Sequence, residues 1–313
     1  MAEREIERWV TWKGRRIPIY KDTPGKEVYD YSSLNDPADM CMELYKRTGI
    51  NMRGRLRGMH PETCAQVCTT LEDLQNKYHI NEADDPNSSE GDRLDVVVPD
   101  TYSPEYEYFK QSEGENDEIP FAVADLCRIS LNPDYYKMSP EDLDAVYAEG
   151  VGPEYANSDN FHPKGTTAKD IVAHEVAHHM LDKKIWDMVE RDYGRYQTIQ
   201  RFLTENVEYT GVSEDTLPDI QMMFKKFDRI RKKYIKQISQ DEEAVSYLGG
   251  KPRENTMLRE MANPISFGRY GICKYSARNY HELIAEAFAD FYANGKKARP
   301  LSRLLVKEIF GIK

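Results

Sequence analysis

The chain has 313 residues, with 43 Lys and Arg against 54 Asp and Glu, a net charge of −11. Forty per cent apolar and 11 % aromatic residues exclude a disordered chain and support a sizeable core. The acidity is local: residues 81–119 hold 13 acids and two bases, and the remaining 274 residues balance to zero.

No apolar run approaches the roughly 18 residues of a membrane span. The charged start, Met1 to Arg8, lacks the apolar stretch of a Sec signal peptide. Five cysteines (Cys41, Cys64, Cys68, Cys127, Cys273) are few and scattered, which fits reduced thiols. Cys64 and Cys68 would share a helix face, but no second Cys/His pair at zinc-finger spacing follows. They read as core or surface thiols rather than a structural metal site.

Val10 to Tyr20 reads as a hairpin turning at Lys13-Gly14. Helices are expected from Pro37 to Lys46 and from Pro61 to Tyr78, where the apolar positions follow the 3.6 period. Arg53 to Gly58 reads as a basic turn. Residues 1–80 thus form a small α+β region ahead of a larger domain, 81–313. Leu94 to Val98 is a predicted strand inside the acidic segment 81–119, and Phe121 to Leu131 is a second apolar run. A short helix from Pro140 to Tyr147 and a Gly- and Pro-rich loop, 150–165, follow. Thr167 and Asp170 resemble a capping box opening a strong helix to Ile185. A helical insertion covers 186–270, broken at Gly249 to Pro252. The last helices run from Tyr280 to Asn294 and from Pro300 to Phe310.

The strongest chemical signal is His174-Glu175-Val176-Ala177-His178. Residues four apart on a helix lie one turn apart on one face, so both imidazoles reach one metal ion. Glu175 is placed for the water on that metal and not for the metal itself. Zinc lowers the pKa of such a water towards about 7, where a carboxylate can take its proton. The apolar flanks Ile171, Val172, Ala173, Val176, Ala177, Met180 and Leu181 are those of a buried helix, which does not accept three uncompensated polar groups. His179 lies off the metal face and reads as structural.

A zinc site needs a third protein ligand. His60, His79 and His162 precede the motif, and none sits on a suitable downstream helix. Glu282, Glu286 and Asp290 form an acidic stripe on an otherwise apolar helix. Either Glu282 is the ligand with Glu286 behind a ligand imidazole, or Glu286 is the ligand with Asp290 behind it. His281 competes, but points to another face.

His174 to His178 followed by Tyr275-Ser-Ala-Arg-Asn-Tyr-His-Glu282-Leu-Ile-Ala-Glu286-Ala-Phe resembles the catalytic domains of anthrax lethal factor and its relatives, which are gluzincin zinc peptidases. The resemblance covers about residues 160–290. It implies Glu282 as third ligand to one zinc ion, Glu286 as the carboxylate behind it, and Tyr275 beside the open metal position. A further likeness, in Phe161 to Thr167 and Trp12 to Ile19, is to prophage minor-head-associated proteins.

The expected fold is α+β and helix-rich, a zincin-like metallopeptidase with a small mixed sheet whose edge strand flanks the active-site helix. The expected activity is zinc-dependent endopeptidase cleavage, with Glu175 as general base, Tyr275 assisting the oxyanion, and substrate pairing along Phe121 to Leu131. The rival is a virion or prophage structural protein with a vestigial or self-processing site. Partners would be a polypeptide substrate and phage particle components, with no nucleic acid and no membrane, and a cytoplasmic or virion-associated location. The basic tail (Lys296, Lys297, Arg299, Arg303, Lys307, Lys313) and Arg53, Arg55 and Arg57 read as solvated faces. The acidic segment reads as a solvated loop pair, or as a border of the cleft favouring basic substrates.

Overall fold

Proline opens seven of the helices, at Pro37, Pro61, Pro104, Pro133, Pro140, Pro264 and Pro300. Its missing N–H costs nothing in a first turn, and its fixed φ suits the helix. The computed structural model describes residues 6–12, 15–20, 27–81, 94–111, 120–151, 161–205, 217–238 and 264–312. The Lys13-Gly14 turn, Glu113, Glu115, Asp117, Glu118 and the break at Gly249 to Pro252 lie outside the described residues, as does much of the acidic segment.

The first described element is an antiparallel hairpin, β1 (Ile6–Trp12) and β2 (Arg15–Tyr20), in which Val10 is in register with Ile17. Helix α1 (Pro37–Thr48) follows, then β3 (Asn51–Gly54), a 3-10 turn at Leu56–Gly58, and α2 (Pro61–Tyr78). The stretch expected as a basic turn is therefore a strand and a turn. Gly54 closes the strand at φ 102°, where an added Cβ would stand 2.1 Å from the Val98 carbonyl oxygen. Beyond α2 come β4 (Asp95–Val98), α3 (Pro104–Gln111), β5 (Ala122–Ala124), β6 (Arg128–Leu131), the single turn α4 (Pro133–Tyr136) and α5 (Pro140–Val151).

Strands β3 to β6 form one mixed sheet in the order β3-β4-β6-β5. β3, β4 and β6 are parallel, and β5 is antiparallel to β6 at the edge. β4, from the acidic segment, is thus an inner strand, with Val96 and Val98 buried. It pairs with β3 across the sequence boundary drawn at residue 80.

The described residues of the second half are mainly helical: α6 (Ile171–Met188), α7 (Tyr193–Glu205), α8 (Leu217–Ile238), α9 (Pro264–Gly271), α10 (Tyr280–Asn294) and α11 (Pro300–Phe310). A 3-10 turn at Ala168–Asp170 leads into α6, and Asp170 Oδ2 accepts the Thr167 N–H at 2.8 Å, as the capping-box pattern predicts. Another 3-10 turn, Tyr275–Ala277, leads to α10.

Two apolar cores result. The first joins the sheet, α1, α2 and the front of α6 (Ile171 to Ala177), with Ala285 and Phe288 of α10. The second joins the back of α6 (Leu181, Ile185) to α7, α8, α9, α11 and the other face of α10 (Leu283, Ile284, Ala287). Each fully buried Leu or Phe contributes about 2–3 kcal/mol. Helices α6 and α10 pack against each other and belong to both cores, so the polar stripe between them lies at a seam. β5 and β6 pack against α6. No helix among the described residues is long and apolar enough to cross a membrane.

Candidate metal centre

On α6, His174, His178 and Asp182 recur every fourth residue and share one face. On α10, Glu282, Glu286 and Asp290 do the same. The helix packing brings these stripes together. His174 Nε2 stands 3.1 Å from Glu282 Oε2, His178 Nε2 stands 3.4 Å from the same oxygen, and the two Nε2 atoms are 3.1 Å apart. Four ligands about 2.0–2.1 Å from a zinc ion at tetrahedral angles would be about 3.3 Å apart. The three atoms match the edges of such a tetrahedron. Glu282 Oε2 is buried, and the polar groups it faces are the two imidazole nitrogens, an arrangement one cation would bridge. The donor set therefore fits zinc.

Asn279 caps α10, its Oδ1 accepting the Glu282 N–H at 2.8 Å, and so fixes the turn that carries the third donor. Glu286, one turn on, is buried at 1 % exposure. Its Oε1 lies 3.1 Å from His174 Nδ1 and 3.3 Å from His162 Nδ1, and its Oε2 accepts from the Cys273 thiol at 3.5 Å. Glu286 thus orients His174 and does not compete with Glu282. Asp290 takes no part: its carboxylate binds the Arg299 guanidinium at 2.7 Å, the Arg299 N–H at 2.9 Å and the Asn294 amide at 2.8 Å. Arg299, grouped in sequence with exposed tail bases, is buried by this pair.

His281 is not a donor to the centre. Its ring stacks on His178, and its Nε2 lies 3.1 Å from Asp182 Oδ1. Gln200 of α7 reaches the same carboxylate oxygen. His179 is structural, as expected, with Nδ1 2.7 Å from the Leu126 carbonyl and Nε2 3.0 Å from that of Ile80. It ties α6 to the turn between β5 and β6 and to the end of the α2 connection.

Tyr275 sits beside His174, ring centroids 6.0 Å apart, and its N–H donates to the Phe161 carbonyl at 3.1 Å. The Arg278 guanidinium lies 4.4 Å above its ring. Gly268 of α9 lets this turn approach, since a Cβ there would stand 2.4 Å from the Ser276 carbonyl oxygen. His162 stacks on Tyr147 at 4.5 Å and was set aside in sequence as a ligand; it serves Glu286 instead.

Burial pushes the Glu175 carboxyl up to about 7, with Glu282 and Glu286 adding to the rise and His174 opposing it. Burial pushes His178 down to about 4, which keeps it a neutral imidazole. Burial opposes a charge on His174, but Glu282 and Glu286 outweigh it and raise this group well above its ordinary value. Without a metal, a proton on His174 satisfies the carboxylates. Burial would also raise Glu286, yet His162 and His174 hold it at about 2. Burial and Glu282 raise Tyr275, which remains a phenol able to donate.

Comparison of the chain with protein-family models, with curated proteins and with solved structures finds no match in any of the three.

Proposed function

We propose that the protein is a zinc-dependent endopeptidase of the gluzincin type with a zincin-like fold. The observation that carries this reading is the convergence of His174 Nε2, His178 Nε2 and Glu282 Oε2 with tetrahedral spacing, next to a buried Glu175. The motif residues shared with lethal factor-like domains support it from sequence. A zinc ion there supplies Lewis acidity and makes a water nucleophilic near neutral pH.

The chain's own residues do the rest. Glu175, buried beside the centre, accepts the proton of the attacking water and hands it to the leaving amine. Tyr275 keeps its phenolic proton and donates to the developing oxyanion. Glu286 fixes the tautomer of His174 so that Nε2 is free to ligate. The outer edge of β5 offers backbone groups for an extended substrate, because among the described residues β5 pairs with β6 alone. The edge expected at Phe121 to Leu131 is thus narrowed to Ala122–Ala124.

The deciding experiment measures metal content of the purified protein, then cleavage of a peptide library with and without chelator, against a Glu175→Gln control. Chelator-sensitive cleavage lost in Glu175→Gln supports the reading. Bound zinc with no cleavage of any peptide transfers support to a virion-associated structural protein with a vestigial or self-processing site.

A further inference from the structure

Helices α1 and α2 bring three of the five cysteines to one point. Cys64 and Cys68 stand four residues apart on α2, on the face that meets α1, and Cys41 comes from α1. The three Sγ atoms all lie within 4.8 Å of one another, with Cys41 and Cys64 at 4.0 Å. All three side chains are buried and none is in a disulfide. They lie in the first core, among Met40, Leu44, Val67 and Leu71. Alanine or valine would fill such positions as well, yet this chain, sparing in cysteine, places most of its thiols here.

The donor set is chemically narrow. Three soft sulfurs converge, and no fourth His, Cys, Asp or Glu joins them among the described residues. Three sulfurs about 2.3 Å from a shared ion in a trigonal plane are about 4.0 Å apart, the separation seen between Cys41 and Cys64. Hydrogen bonds from Cys64 and Cys68 push the Cys41 thiol down to about 5 against burial, and the bonds to Cys41 together with burial push Cys64 and Cys68 up, so the cluster favours one thiolate shared by three sulfurs.

We propose that Cys41, Cys64 and Cys68 form a second metal site, in which the three sulfurs hold one thiophilic closed-shell cation, Cu(I) or Zn(II), and pin α1 to α2. Thiolate sites select these ions. Binding releases thiol protons to solvent, forms metal–sulfur bonds and needs no oxidant. Cu(I) accepts three donors as they stand; Zn(II) completes its four with a water. With all three sulfurs out of solvent, loading accompanies the docking of α1 on α2. The site does not depend on the peptidase reading.

The test uses the full-length protein, reduced and anaerobic, with zinc first supplied to the His174–His178–Glu282 centre. One arm adds Cu(I) against a competing Cu(I) chelator, and the other adds further zinc. We expect one additional equivalent in at least one arm, a higher unfolding temperature, and loss of that equivalent in Cys41→Ala and in Cys68→Ser. His174→Ala keeps it, which separates this site from the other. X-ray absorption reads the ligands directly, at the copper edge in the loaded wild type and at the zinc edge in loaded His174→Ala, and shows three sulfur neighbours. No additional equivalent in either arm, or an ion bound through nitrogen and oxygen alone, overturns the proposal.

Discussion

The ring of His281 lies flat on the ring of His178, centroids 4.0 Å apart and planes 13° from parallel. The Nδ1 of His178 is buried and has no hydrogen-bond partner, whereas that of His174 meets Glu286 at 3.1 Å. One imidazole of the candidate centre is therefore oriented by a carboxylate, and the other by a stacked ring that Asp182 holds in place at 3.1 Å. Replacing His281 by Leu removes the stack and leaves Asp182 buried without its imidazole. We expect a loss of about 3 kcal/mol in urea unfolding, with weakened zinc binding measured by competition with a chelator.

Under the peptidase reading, Glu175→Gln separates catalysis from metal binding. Cleavage should fall by about 10²–10⁴-fold, while zinc content stays at one ion at the His174–His178–Glu282 centre. The same variant should stabilise the metal-free protein. Glu175 is raised from 4.5 to about 7 in the folded state. Its favourable contribution is present below pH 4.5 and lost as pH rises through about 7. Above that, the buried charge costs about 3 kcal/mol, which glutamine avoids. Thermal unfolding of both forms at pH 4.5 and pH 8 reads this: the gap should open only at the higher pH.

Glu286→Gln should weaken zinc affinity by about 10–100-fold, because His174 loses the carboxylate that sets its tautomer. It should also change acid stability. Glu286 is held at about 2 against an ordinary 4.5, so its contribution is complete above pH 4.5 and is lost as pH falls towards 2. In the metal-free wild type this amounts to about 3 kcal/mol over that window. Acid titrations followed by circular dichroism should show a flatter curve for the variant there.

Zinc uptake should release a proton at neutral pH. His174 is raised well above its ordinary value by Glu282 and Glu286, and that proton must leave before Nε2 can ligate. Calorimetric titrations in buffers of different ionisation enthalpy count it. Equal heats in all buffers would contradict the protonated His174 described above.

Tyr275→Phe should lower kcat by about 10²–10³-fold with zinc content unchanged, if the phenol donates to the oxyanion. Gly268→Ala offers a second approach to the same residue. Its new methyl would collide with the Ser276 backbone and displace the turn that carries Tyr275. It should reduce cleavage without touching any metal donor.

Much of this was legible in the chain. Helices α2 and α10 follow the sequence to the residue, because Pro61, Asn279 and Gly295 mark their ends. Helical spacing marked His174 and His178 and left Glu282 and Glu286 as alternatives; the resemblance pointed to Glu282, and it is Glu282 that meets both imidazoles. What escaped was non-local or too short. β3 has four residues ending in Gly54, without the alternation that marks a half-buried strand. The helix from Pro264 lay hidden in a stretch read as an insertion. Asp182 repeats the four-residue spacing of His174 and His178, a cue that was there to use. No sequence rule would have paired His162 with Glu286, 124 residues away.

The seam between the two cores ties chemical competence to assembly. The donors come from α6 and α10, and each of these helices is held by both cores. A chain with only the sheet-side core in place has no fixed angle between them, and so no convergent His–Glu cluster. Under the peptidase reading, a half-folded copy emerging among its neighbours would be inert towards them. Proteolytic power would arrive only with the last helices packed, a safeguard set by where the site sits.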